Sequence, residues 1–188
     1  MNRNELGVSA LCQVVVLVAA VAGAAAPPKG GASMTTLTIE SSAFAHKQPI
    51  PALYTCDGQG ISPPLSWKGI PQSAKSLVLM SDDPDAPVGT WVHWVVYDIP
   101  PTVTGLEQSQ PKTDTLPCGA RQGITDFKCV GYGGPCPPSG THRYFFKLYA
   151  LDVMLGLPAG KSKKDVEKAM AGHVVAQGEI VGVYCRKK

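Results

Sequence analysis

The segment GYGGPCPPSGTHRY, Gly131 to Tyr144, constrains this chain more than any other stretch. Its consecutive prolines freeze φ and remove backbone donors, while its glycines permit tight backbone approach. The stiff loop runs straight into the apolar segment FFKLYALD, so His142, Arg143 and Tyr144 stand at the entrance to a strand. A rigid loop delivering a histidine and a tyrosine to a strand end resembles one wall of a small-ligand pocket. The same breakers recur throughout, 17 Pro and 20 Gly in 188 residues. That density favours short strands and ordered loops over long helices.

The pattern between the breakers is mostly β. TLTIES (Thr36 to Ser41) alternates as a half-buried strand does, and Leu77 to Ser81 reads as a short buried strand. Trp91 to Asp98, Arg143 to Leu151 and Glu179 to Tyr184 complete the set, with a further strand expected at Tyr54 to Gly58, ending in a turn. One helix is well marked: Ser162 as N-cap, Asp165 three residues on, an apolar stripe of Val166, Ala169 and Met170, and Gly172 as stop. Thr102 to Pro135 is a long connection, of a kind that is often functional. No repeat or linker interrupts residues 34–188, so one domain with a few peripheral short helices is expected there.

Residues 1–24 read as a secretory signal peptide. Leu6 to Ala26 is apolar, and Ala22-Gly23-Ala24 offers the small-residue exit that a signal peptidase requires. Residues 25–33 form a lead-in. An uncleaved single-span anchor competes with this reading, and membrane contact is expected only in that case. The protein is therefore expected to be exported, periplasmic or secreted. Beyond the leader lie Cys56, Cys118, Cys129, Cys136 and Cys185, with no C-x-x-C. Cys118 and Cys129 bracket a loop and are the first expectation for a disulfide, with buried thiols the open alternative. The net charge of +3 is mild and its lysines are scattered, which argues against a nucleic-acid partner.

Three segments carry candidate chemistry. Asp82-Asp83-Pro84-Asp85-Ala86-Pro87 is a rigid acidic turn, or simply an Asx turn satisfying its own backbone. In Trp91-Val92-His93-Trp94, strand alternation puts Trp91 and His93 on one face and Val92 with Trp94 on the other. His93 becomes more than a core histidine if Asp83 or Asp85 reaches it, because a carboxylate orients and charges the ring. His142 and Tyr144, two apart, share the third face, with Pro137 and Pro138 as a lip. Converging, these donors fit a small oxyanion such as phosphate.

DPDAP, the following H-W pair and G-Y-G-G-P-C-P-P-x-G-x-H-R-Y, in that order, closely resemble the phosphatidylethanolamine-binding protein family in its bacterial, Raf-kinase-inhibitor-like branch. YTCDG, SPPLSW and GEIVGVY support the likeness, which spans Met34 to Arg186. The resemblance implies a compact fold of two packed β-sheets with an anion pocket at one edge. It places ligand-binding roles on Asp83, His93, Pro138, His142 and Tyr144, with Asp85 and Pro137 as neighbours. Cys136 departs from the glycine of many relatives.

The reading that follows is a non-enzymatic binding protein, without cofactor, for a small anion or a phospholipid headgroup such as phosphoethanolamine. A protein-interaction module inhibiting a protease or kinase is the alternative, since relatives act as inhibitors. A hydrolase lacks a G-x-S-x-G nucleophile, and GLPAGKS is one residue short of a phosphate loop. Two histidines and a carboxylate would suit zinc, but the adjacent tyrosine and prolines suit an anion better, and no metal is expected.

Overall fold

Four consecutive apolar residues, Leu77 to Met80, decide the layering. In the computed structural model, which describes residues 35–186, they lie in β4 (Ser76–Asp83), a strand buried at every position. Leu77 and Leu79 enter one core and Val78 and Met80 another, on opposite faces of the sheet. A strand covered on both sides reads as a continuous apolar run, which is how the sequence presents it.

Around β4 stands a six-stranded sheet. Its other members are β1 (Thr35–Thr36), β5 (Trp91–Ile99), β7 (Arg121–Gln122), β8 (Thr141–Leu151) and β9 (Val174–Cys185), in the order β1-β9-β8-β4-β5-β7. All neighbours are antiparallel except β1 and β9. A second, three-stranded antiparallel sheet holds β2 (Thr38–Glu40), β3 (Leu65–Lys68) and β6 (Gly105–Leu106), with β3 central. Ile39, Leu65 and Trp67 of the small sheet share a core with Leu79, Trp94, Val96, Phe146 and Leu148 of the large one. The expected two packed sheets are thus present. On the opposite face, α1 (Lys163–Met170) lays Val166 and Met170 over Val78, Met80, Val95 and Tyr97. Ser162 and Asp165 cap it reciprocally, as their spacing predicts.

Several boundaries differ from the sequence reading. Tyr54 to Gly58 is no strand: a 3-10 turn, Ala52–Tyr54, is followed by turns in which Thr55 donates from both backbone and side chain to Ala52 O. Such local bonds let a short polar segment outbid a sheet ladder. β9 starts five residues before Glu179, because Gln177 and Gly178 pair with Tyr149 and Leu148 of β8. At Gly178 the Leu37 carbonyl presses so close that no Cβ fits, and the glycine that hides the strand in the sequence is required by packing.

The long connection from Thr102 to Pro135 is tied down at one buried side chain. Gln122 accepts from the Trp94 indole at 2.7 Å and donates to Pro111 O at 2.8 Å and Thr113 O at 2.7 Å. Its amide is satisfied inside the fold, which makes the connection an ordered wall. The expected leader and the whole of the lead-in lie outside the described residues. Among the described residues no helix is long and apolar enough to cross a membrane.

Candidate functional site

Asp83 is the last residue of β4 and is 3 % exposed. Its Oδ1 accepts the Asp85 backbone N–H at 2.8 Å, the Asx-type turn that the sequence left open. Its Oδ2 lies 2.7 Å from His142 Nδ1, on the neighbouring strand β8. A carboxylate can only accept, so Nδ1 of His142 carries the proton. The acidic turn therefore does both things, closing on itself and orienting a histidine. The histidine it orients is His142, where the sequence reading had aimed it at His93.

His93 is held by a different partner. The β4–β5 register jumps between Ser81↔Trp94 and Asp82↔Val92, leaving His93 as the extra residue of a bulge. Bulges re-aim side chains beside functional sites. Here Trp91 and His93 do share a wall, as alternation predicts, both packing edge-on against Phe127. Val92 and Trp94 do not: Val92 packs in the helix-side core and Trp94 between the sheets. The bulge breaks the period of two that the prediction rested on. His93 Nδ1 donates to Gly133 O at 2.7 Å, and Gly133 N–H returns a bond to His93 O at 2.8 Å. The glycine-rich loop is thereby zipped onto β5. Burial pushes the His93 pKa below its ordinary value, against the opposing pull of the Gly133 carbonyl and the Asp83 charge. The ring is therefore neutral near physiological pH, with its Nε2 lone pair unprotonated.

Tyr144 completes the wall, its ring perpendicular to that of His93 at 5.2 Å between centroids. Its hydroxyl is buried and has no hydrogen-bond partner among the described residues. Burial and the nearby Asp83 charge raise its pKa, so it stays a neutral donor. The Asp83 carboxylate and the Cys136 backbone lie beside the hydroxyl, and an acceptor entering the cleft would offset the roughly 1–3 kcal/mol that an unpaired buried hydroxyl costs.

Asp83, His93, Pro137, Pro138, His142 and Tyr144 line one cleft of about 230 Å³. Asp85 does not line it; Arg143, pointing outward as alternation predicts, takes its carboxylate at the surface. The sequence reading missed Ala86, Pro87, Val88, Trp91 and Phe127, which add apolar lining. Trp91 was legible from its alternation with His93. Phe127 was not, because it comes from the long connection with no periodicity to mark it. Among the described residues no three His, Cys, Asp or Glu side chains are grouped to hold a metal ion.

The cysteines correct an expectation. Among the described residues, Cys118 and Cys129 are both free and a disulfide joins Cys56 to Cys136, 80 residues apart. Its physical reason is loop packing: Cys56 N–H donates to Pro135 O at 3.0 Å, and Gly134 sits so near Tyr54 O that a Cβ would approach it to 2.9 Å. Cys136, which departs from the glycine of many relatives, is thus a crosslink from the cleft-lining loop to the segment around Cys56.

Comparison with known proteins agrees with this geometry. Residues 40–185 match the family model described as phosphatidylethanolamine-binding protein. A UPF0098 protein of Methanothermobacter thermautotrophicus is 54 % identical over 150 residues, covering 80 % of this chain and 99 % of its own. Among solved structures, a phosphatidylethanolamine-binding protein homologue from Chlamydia trachomatis is 41 % identical with a TM-score of 0.75, over 81 % of this chain and 99 % of that one. E. coli YbcL, described as a new member of the mammalian family, is 34 % identical with a TM-score of 0.76, over 81 % of this chain and all of its own. With the fold, the motif order and these likenesses in agreement, the chain belongs to the phosphatidylethanolamine-binding protein family.

Proposed function

We propose that this protein binds, without turning it over, a small phosphate-type anion or a phospholipid headgroup such as phosphoethanolamine. One observation carries the reading: the buried Tyr144 hydroxyl makes no hydrogen bond among the described residues, in a cleft where Asp83 and Gly133 already hold the two histidine rings in place. A donor fixed in the wall of a cleft gains its hydrogen bond when an acceptor ligand enters. The apolar walls of Trp91, Phe127 and Pro138 limit the occupant to a small group. Export to the periplasm or beyond is part of the same reading, and a disulfide between two exposed cysteines fits an oxidising compartment.

Titration calorimetry of the purified protein with O-phosphoethanolamine and with inorganic phosphate tests it. Saturable binding that weakens about tenfold or more in Tyr144→Phe supports the reading. No binding, or turnover of a phosphoester that is lost in His93→Ala, defeats it.

A second reading, a protein-docking module that inhibits a protease or kinase, draws on Val88, which stands 78 % exposed at the cleft mouth. A pull-down with wild type and Val88→Ser separates it from ligand binding alone.

A further inference from the structure

We propose that the Cys56–Cys136 disulfide is a redox latch on the lip of the cleft: closing it fixes Cys136 to Gly140 in place, and ligand binding is strong only in the oxidised chain. This rests on the reading of the cleft as a ligand site and adds the regulation of that site.

The loop from Gly131 to Gly140 is held unevenly. Its first half is packed and bonded. Gly133 exchanges hydrogen bonds with His93, and Pro135 O accepts the Cys56 N–H at 3.0 Å. A Cβ at Gly133 would strike the Phe127 ring, so this half has no room to move. Beyond Pro135 the attachments stop. Among the described residues no loop or turn backbone hydrogen bond involves Cys136 to Gly140, and Pro137 and Pro138 have no N–H to give. Only Pro137 of these five residues is buried, and no atom lies within 4 Å of the place a Cβ would take at Gly140. Order returns at Thr141, where β8 pairs with β9.

The disulfide sits where the two halves meet. Cys56 is its fixed end: Thr55 before it is fully buried and bonds to Ala52 O, and Asp57 after it accepts from the Tyr184 hydroxyl at 2.8 Å. Cys136 is the first residue of the loose half. It stands in the cleft wall with Pro137 and Pro138, and its backbone lies beside the Tyr144 hydroxyl. One covalent bond therefore carries the order of the packed half into the lip. Without it the lip samples more conformations, and a ligand must order the lip as it binds.

The latch is also reachable. Cys56 and Cys136 are both exposed, so a thiol or a disulfide in solution has access to them. Closure is a two-electron, two-proton exchange with a disulfide donor. One cysteine thiolate attacks the donor, releasing one donor thiol and leaving a mixed disulfide. The second cysteine thiolate then displaces the other donor sulfur as a thiol and forms the Cys56–Cys136 bond. A dithiol reductant runs the same steps backward. An exported chain would gain its competent cleft on reaching an oxidising compartment.

Calorimetry with O-phosphoethanolamine, on oxidised protein and on protein reduced with dithiothreitol, tests the latch. Cys118→Ser, Cys129→Ser and Cys185→Ser are introduced together, so that among the described residues the reductant acts on one pair. Reduction is expected to weaken binding about tenfold or more, and reoxidation with glutathione disulfide to restore it. Backbone NMR order parameters should fall at Cys136, Ser139 and Gly140 and stay high at Gly133 and Thr141, with circular dichroism unchanged. Cys56→Ser, which leaves the cleft wall intact, should bind as weakly as the reduced protein with or without dithiothreitol. Equal or tighter binding by the reduced protein, or unchanged order parameters, overturns the latch. Loss of the fold on reduction overturns it too, because the bond would then hold the whole domain and not the lip. If the oxidised protein binds nothing, the cleft reading fails, and the order parameters alone decide whether the lip is latched.

Discussion

Arg143 grips Asp85 with two prongs, Nε to Oδ2 at 2.8 Å and Nη2 to Oδ1 at 2.7 Å, and its backbone N–H adds a third bond at 2.9 Å. The pair lies outside the cleft, yet each partner is flanked by cleft residues: Asp83 and Pro87 on one side, His142 and Tyr144 on the other. It therefore clasps the acidic turn to the start of β8 and sets where the Asp83 carboxylate meets His142.

Breaking that clasp should affect the cleft more than the fold. Exposed ion pairs contribute little to stability. Asp85→Asn is thus expected to leave the melting temperature nearly unchanged while weakening O-phosphoethanolamine binding severalfold. The guanidinium beside Asp85 holds its pKa at about 2, so the pair's contribution is present above about pH 4 and is lost as pH falls through about 2. Acid unfolding followed by circular dichroism should differ only slightly from wild type in that window, because solvent screens the exposed pair.

His93 should resist protonation. Burial lowers its folded pKa below the ordinary value near about 6.5, so the unfolded chain takes up the proton more readily. Its contribution to stability is present above that pH and is lost as pH falls toward the folded pKa. Histidine side-chain NMR should find the His93 midpoint depressed, and His93→Gln should flatten the stability profile over the same range. A midpoint at or above the ordinary value would contradict the neutral ring inferred here.

The Cys56–Cys136 crosslink closes a loop with a sequence separation of 80 residues. Removing it with Cys56→Ser and Cys136→Ser should cost roughly 2–4 kcal/mol of unfolding free energy in denaturant melts. Cys118→Ser with Cys129→Ser should change stability far less. Alkylation of the folded, unreduced protein should label Cys129 and Cys185 readily, and should leave Cys56 and Cys136 unlabelled.

Gln122→Leu should be among the most damaging substitutions in the long connection. It leaves the Trp94 indole N–H and the Pro111 and Thr113 carbonyls without their bonds, at about 1–3 kcal/mol for each group that stays buried. A melting temperature close to wild type would show that the connection is held by other contacts.

What the sequence determined by itself was whatever depends on neighbours a few positions away. The capping box of α1 and the outward turn of Arg143 between His142 and Tyr144 follow from spacing along one segment, and the continuous burial of Leu77 to Met80 from an unbroken apolar run. The motif order brought Asp83, His93, Pro137, Pro138, His142 and Tyr144 into one list, and the fold brings them into one cleft. Only the tertiary structure decided which of them touch. Asp83 meets His142 because β4 and β8 are adjacent, and His93 turns to Gly133 because a bulge shifts the register of β5. Cys56 finds Cys136 because two loops pack backbone to backbone, which no spacing encodes. Phe127 reaches the cleft for the same kind of reason, through a connection pinned at Gln122. Side-chain direction is a local property of the backbone, whereas partnership across the fold is set by sheet register and loop closure over many residues.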